Sequence, residues 1–304
     1  MNTLKILITG DISTWNIENF STNNIDRQII SKIKDSDLFI TNLEGPIVND
    51  VSEHRFTLYG NKLLDFCFKC ILSITNKKQP IVYSDNKITE FLKLNPNTVV
   101  TLANNHVKDC GRSGLTSTLK CLSENKIDYL GAGFNIEQAN KYIHKKIADK
   151  DIFIMNYNRI GLRKYGLFAN IYGASKNDFG AAYLSFWKIK DSIRKIKDKF
   201  PNAVTILIVH DGRVLPENTN DLKLKLKSYQ SCNSDLTIIH HPHLSWNLNL
   251  DTIKVIGDCI FYQPSAIPEI RTSSMTEFSI KKQLVKTEEV HIGFNKGYPY
   301  IKGH

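Results

Sequence analysis

Apolar residues in this chain come in short runs, and two spacings alternate along it. LKILIT at 4–9, LFIT at 38–41, TVVTLANNH at 98–106, VTILIVH at 204–210 and LTIIHHPH at 236–243 are nearly unbroken apolar or β-branched stretches that end on polar residues. A run without polar alternation that delivers polar groups at its carboxyl end is the pattern of a strand covered on both faces in a parallel sheet. Helical spacing separates these runs. Ile25, Ile29, Ile30 and Ile33 share one face of a helix predicted over about 24–35. Further helices are predicted at 87–94, after Ser113 as cap (Leu115, Leu119, Leu122), at 135–142, at 185–200 and at 219–231.

The remaining stretches fill in the plan. HKKIADKDIFIMNY reads as a hairpin, IKVIGDCIFY as one strand, and EFSIKKQLVK with EVHIGF as alternating edge strands. Residues 50–85 show no clear period. Residues 159–180, with Gly161, Gly166, Gly173 and Gly180, form an irregular stretch expected to lie over the site as a loop. Strand and helix alternate without a linker or an internal repeat, so the fold class is α/β and 1–304 is a single domain, its tail of edge strands beginning near 270.

Composition narrows the function. No apolar stretch approaches the ~20 residues of a membrane span. MNTLKILITGD reads as a first strand, since a signal peptide needs a longer apolar region and a small-residue cleavage site. Six scattered cysteines, at 67, 70, 110, 121, 232 and 259, with one isolated CxxC, read as buried thiols of a reducing compartment and so of the cytoplasm. The net charge of +10 suits an anionic small-molecule or polymer substrate, but no basic block of nucleic-acid type is present. Trp15, Trp187 and Trp246 read as packing residues.

The chemistry gathers at the five strand ends, which carry Asp11, Glu44, Asn105 with His106, His210, and His241 with His243. Ligand sites in α/β sheets lie at the carboxyl ends of strands, so these groups can converge from distant parts of the chain. Carboxylates, an amide and imidazoles together form a mixed oxygen and nitrogen set suited to Mn, Fe or Zn. In an extended His-Pro-His, His241 and His243 address one side and His240 points away. Asn104 reads as a turn residue and a candidate substrate contact, Asp109 as a cap or a partner of His106, and Arg213 as a candidate substrate contact.

Gly-Asp near the start, NLEGP, the run LANNHVKDCGRSGLTSTLKCLSENKIDYLGAGFNIEQA, a strand-end His followed by Gly, and HHPH resemble the CapA (PGA_cap) capsule-biosynthesis family, a branch of the calcineurin-like metallophosphoesterases. The resemblance implies a four-layer α/β/β/α sandwich with one or two divalent ions. It implies that Asp11 and His243 hold a first ion, that Glu44 bridges, and that Asn105, His210 and His241 hold a second. His106 would protonate the leaving group or stabilise the transition state. The superfamily's Asp-x-His reads Asp11-Ile12-Ser13, an imidazole that the CapA branch generally lacks too; against the family pattern itself, the HWGxE-like motif reads His210-Asp211-Gly212-Arg213-Val214, Ile239 replaces the Gly before HHPH, and GDCIF replaces GNF.

Two functions from different classes follow. One is a metal-dependent hydrolase of a phosphoester, or of a related bond in an anionic polymer or precursor, in capsule or poly-γ-glutamate metabolism. The other is an accessory or binding subunit, working with capsule-assembly proteins, that keeps the fold without turnover.

Overall fold

The computed structural model describes residues 3–49, 81–160, 172–212, 219–243, 245, 248, 250, 252–260, 273–281 and 284–302. The chain opens with β1 (Leu4–Ile12), α1 (Arg27–Asp35) and β2 (Leu38–Leu43). It continues through α2 (Ile88–Leu92), β3 (Thr98–Thr101), α3 (Gly111–Glu124), β4 (Asp128–Leu130), β5 (Ala132–Gly133) and α4 (Ile136–Ala139). A hairpin of β6 (Ile143–Ile147) and β7 (Lys150–Asn158) precedes β8 (Gly180–Ala181), α5 (Phe186–Lys199) and β9 (Val204–His210). The last elements are α6 (Thr219–Gln230), β10 (Leu236–His240), β11 (Ile253–Val255), β12 (Ser273–Lys281), β13 (Leu284–Asn295) and β14 (Tyr298–Ile301).

Two large sheets result, one of seven strands in the order β14-β13-β12-β1-β2-β3-β4 and one of five in the order β11-β10-β9-β7-β6. Strand periodicity sorts their side chains into layers. Leu4, Ile6 and Ile8 of β1, Leu38 and Ile40 of β2 and Val99 of β3 share one core with Ile152 and Ile154 of β7, Ile206 and Ile208 of β9 and Leu236 and Ile238 of β10. That core lies between the sheets. The alternate residues Leu7, Phe39, Val100, Leu207, Val209 and Ile239 pack outward with helix residues such as Ile29, Ile33, Phe91, Leu115, Ile189 and Ile193. The architecture is the expected α/β/β/α sandwich. Both faces of the central strands are covered, which is why their sequences lack polar alternation.

One irregularity decides where the first acid points. The parallel pairing of β1 with β2 matches Ile8 to Ile40 and then Asp11 to Asn42, so β1 carries one extra residue. With Leu4, Ile6 and Ile8 facing the inter-sheet core, strict alternation would turn Asp11 outward. The bulge restores the inward phase at Asp11 and sends Ile12 out with Leu43. Gly10 lies in the bulge where any Cβ would run into the Gly257 carbonyl, so no side chain fits there.

Several expected boundaries shift. The helix after the ANNH turn begins at Gly111, and Ser113 lies inside it, donating from Oγ to the Cys110 carbonyl rather than capping it. The tail does more than form edges, since β12 lies inside the sheet, antiparallel to β1 with Leu4 opposite Ile280. The stretch from 253 stops being a strand at Val255 and becomes a loop that closes on Ile12 through a bridge at Ile260. Trp187 is 73% exposed rather than packed. Cys67, Cys70, Arg213, Trp246 and residues 161–171 of the expected loop lie outside the described residues.

Candidate metal centre

The five strand ends meet. Two groups of described residues bring ligand atoms within 4.8 Å of one another: Asp11, Glu44 and His243, and Glu44, His210 and His241. Glu44 belongs to both. It follows β2 in the inward phase of Leu38, Ile40 and Asn42, and its main-chain N–H donates to the Ile12 carbonyl, tying it to the end of β1. His210 closes β9 in the phase of Ile206 and Ile208, and its Nε2 lies 2.8 Å from Asn105 Oδ1, 3.1 Å from His241 Nδ1 and 3.6 Å from Glu44 Oε1. Asn105 thus joins the second group through its amide oxygen. Asn42 Nδ2 donates to Asp11 Oδ1 at 2.7 Å and leaves Asp11 Oδ2 without a hydrogen bond.

The HHPH segment reaches the site by a route other than extended alternation. His240 pairs with His210 across β10 and β9, so it shares the inward phase and does not point away. It is 1% exposed. His241 and His243 then take φ angles of 93° and 58°. This left-handed turn swings both imidazoles back to the strand ends, with ring centroids 5.8 Å apart. Non-glycine residues adopt such angles at a cost of about 1–3 kcal/mol each, which the surrounding contacts must offset.

Beside the two groups stands His106, its side chain 18% exposed, with Nδ1 2.7 Å from Asp109 Oδ2 and Nε2 3.8 Å from Glu44 Oε1. Asp109 Oδ2 also accepts from the Val82 N–H, which holds the carboxylate in place. Asp109 is therefore the partner of His106. Asn104 is 1% exposed, donates from Nδ2 to the Leu43 carbonyl and accepts the His106 N–H, so it locks the turn and offers no exposed amide to a substrate. Ser13, standing where the related motif has His, donates from Oγ to the Tyr83 carbonyl and accepts from the Trp15 N–H. It adds no ligand.

Burial is the largest influence on every titratable group of the cluster. Burial, and then the charge of Glu44, pushes the Asp11 carboxyl well above the usual range, and burial likewise raises Glu44. Burial and the neighbouring imidazoles push His210 far down. For His243 burial is outweighed by the charge and hydrogen bond of Asp258, which lift it to about 10; for His106, those of Asp109 likewise prevail over burial. Asp11 Oδ2, both Glu44 oxygens and His210 Nδ1 are buried without a hydrogen bond among the described residues. Buried polar atoms are rarely left so unless something outside the chain satisfies them. A divalent cation fits these atoms: it takes oxygen and nitrogen donors and restores both acids to their charged form.

Three supporting residues were missed from sequence. Asn42 orients Asp11, and Asp258 lies 2.7 Å from His243 Nδ1. Asn156, inward on β7, accepts the Ala103 N–H at 2.7 Å and donates to the Ile208 carbonyl, clamping the end of β3 to β9. An Asn inside an otherwise apolar strand, as in FIMNYN, was the available signal for Asn156.

Two helix-covered sheets with imidazoles and carboxylates meeting at the strand ends form an α/β/β/α sandwich with a candidate metal centre at one end. The chain belongs to the bacterial capsule synthesis protein family PGA_cap, which it matches over residues 5–262. It is 24% identical over 194 residues to the PGA biosynthesis protein CapA of Bacillus subtilis (strain 168), covering 61% of this chain and 47% of that protein. It is 23% identical over 252 residues to the capsule biosynthesis protein CapA of Bacillus anthracis, covering 79% and 54%. The chain thus spans about half the length of these curated relatives. Among solved structures, it is similar to the calcineurin-like phosphoesterase YfkN from Bacillus subtilis, with a TM-score of 0.49 and 14% identity over 98% of this chain and 88% of that one. It is also similar to a hypothetical protein from Thermus thermophilus, with a TM-score of 0.48 and 9% identity over 99% and 100%.

Proposed function

We propose that this chain is a divalent-metal-dependent hydrolase of a phosphoester, or of a related bond in an anionic polymer or precursor, in capsule or poly-γ-glutamate metabolism. The observation that carries this is Glu44, a fully buried carboxylate with neither oxygen hydrogen-bonded among the described residues, shared by two three-residue ligand groups. Asp11 and His243 would hold one ion, Asn105, His210 and His241 the other, with Glu44 between them. Mn, Fe or Zn bound there would polarise a phosphoryl oxygen and supply hydroxide at neutral pH. His106, fixed by Asp109 through Nδ1, turns Nε2 toward the cluster and would give a proton to the leaving oxygen. The family supports the capsule context. The described cysteines, at 110, 121, 232 and 259, are all free thiols, which supports a reducing, cytoplasmic setting. No helix among the described residues is long and apolar enough to cross a membrane.

The accessory-subunit alternative rests on the altered fourth motif, His210-Asp211-Gly212-Arg213-Val214, which lacks the Glu of the HWGxE-like pattern. Metal analysis of the purified protein, followed by assays with Mn²⁺ on an aryl phosphate monoester and diester, separates the two. The hydrolase retains metal, cleaves at least one ester and loses turnover in His106→Ala with its metal content unchanged. Bound metal without cleavage of either ester, and no effect of His106→Ala across a wider set of phosphorylated and polyanionic substrates, leaves the accessory role.

A further inference from the structure

The segment after β11 runs alongside the metal centre. Cys259 N–H donates to the Asp11 carbonyl at 2.8 Å, Gly257 N–H donates to Ser245 Oγ, and the Gly257 carbonyl oxygen presses on Gly10. Asp258, 8% exposed, is held between these anchors, with Oδ1 2.7 Å from His243 Nδ1. His243 itself sits in a left-handed turn beyond the end of β10, where no strand pairing fixes its ring. Nδ1 is engaged by Asp258, and the same ring offers a ligand atom to the group of Asp11 and Glu44.

We propose that Asp258 is a positioning residue for His243, fixing the Nδ1–H tautomer with Nε2 turned to Asp11 and Glu44, and so making up for the imidazole that Ser13 does not supply. This rests on the metal-centre reading given above. Two carboxylates and one imidazole are a sparse set for a divalent ion, and with few donors each must be placed before the ion arrives. A carboxylate on the far nitrogen of a ligating histidine orients the ring and raises its basicity. The position is also where this chain departs from the related GNF motif, carrying an acid in place of an amide.

Calorimetric titration of metal-stripped protein with Mn²⁺ tests it. The wild type takes up ions in two events, and His243→Ala abolishes one of them. Asp258→Ala weakens that same event by about 10- to 100-fold and leaves the other unchanged. Asp258→Asn, which keeps an oxygen acceptor for Nδ1–H, recovers most of the loss. Wild-type affinities in Asp258→Ala, equal weakening of both events, or no recovery in Asp258→Asn would each overturn the inference. The ring ¹⁵N shifts of His243 in zinc-loaded wild type give a second measurement that needs no variant at Asp258: an Nδ1–H tautomer is expected, and Nε2–H overturns the proposal. A wild type that binds no ion ends the metal-centre reading and the inference with it, whereas normal binding in Asp258→Ala ends the inference alone.

Discussion

Replacing Glu44 by Gln should stabilise the metal-free protein and destabilise the metal-loaded one. In the absence of an ion neither buried Glu44 oxygen has a hydrogen bond among the described residues, and burial outweighs the attraction of His243 and His106 and raises the carboxyl. An unmet buried polar group costs about 1–3 kcal/mol, and more when it is charged. Gln keeps the shape and removes the charge, so a gain of about 1–2 kcal/mol is expected, roughly 2–4 °C in the melting midpoint for a chain of this size. The size of this gain depends on pH. Because the folded-state pKa of Glu44 is raised above its ordinary 4.5, wild type has the full benefit of protonation below that pH and loses it as the pH rises through the folded value. The advantage of the variant therefore grows from acid to neutral pH. Adding Mn²⁺ at 100-fold over its dissociation constant stabilises wild type by about 2.7 kcal/mol per site. The variant, short of a charge in both groups, loses most of that gain. Denaturant unfolding at neutral pH, with chelator and with Mn²⁺, measures both quantities. A metal-free Glu44→Gln protein less stable than wild type, with an undiminished Mn²⁺ effect, would refute the reasoning.

Other perturbations follow from the same geometry. Gly10→Ala puts a Cβ into the Gly257 carbonyl and should lower stability by about 1–3 kcal/mol or more, read from the urea midpoint. His240→Leu removes two buried ring nitrogens that have no hydrogen-bond partner among the described residues and should be neutral or stabilising at pH 7. Since burial holds His240 down at about 3, wild type loses stability as the pH falls from the ordinary histidine value of 6.5 toward that value, and the variant should lack this share of the slope. Asn156→Ala frees the Ala103 N–H and the Ile208 carbonyl and should weaken ion binding at the group containing His210 more than at the one containing Asp11, as titration calorimetry would show. His106→Ala should cost about 10²- to 10⁴-fold in turnover with both ions still bound, checked by steady-state rates beside metal content.

The order of strands and helices, and the residues that would meet, could be read from the chain alone. Strands buried on both faces must be apolar throughout, so LKILIT, TVVT, VTILIVH and LTII announced a sandwiched sheet, and the polar residues closing them marked one end of it. Orientation could not be read in the same way. Asp11 faces the site only because β1 bulges against β2, and at that bulge Gly10 meets Gly257, about 250 residues away in sequence. His241 and His243 arrive through positive φ angles, where a rule of alternation placed them correctly for the wrong reason and misplaced His240. Asn42, Asn156 and Asp258 act by hydrogen bonds to residues that only the folded chain brings near, and a linear pattern carries no trace of such a partner. Local periodicity records which face of an element is buried. What that face meets, and at what angle, is settled when the two sheets close on each other.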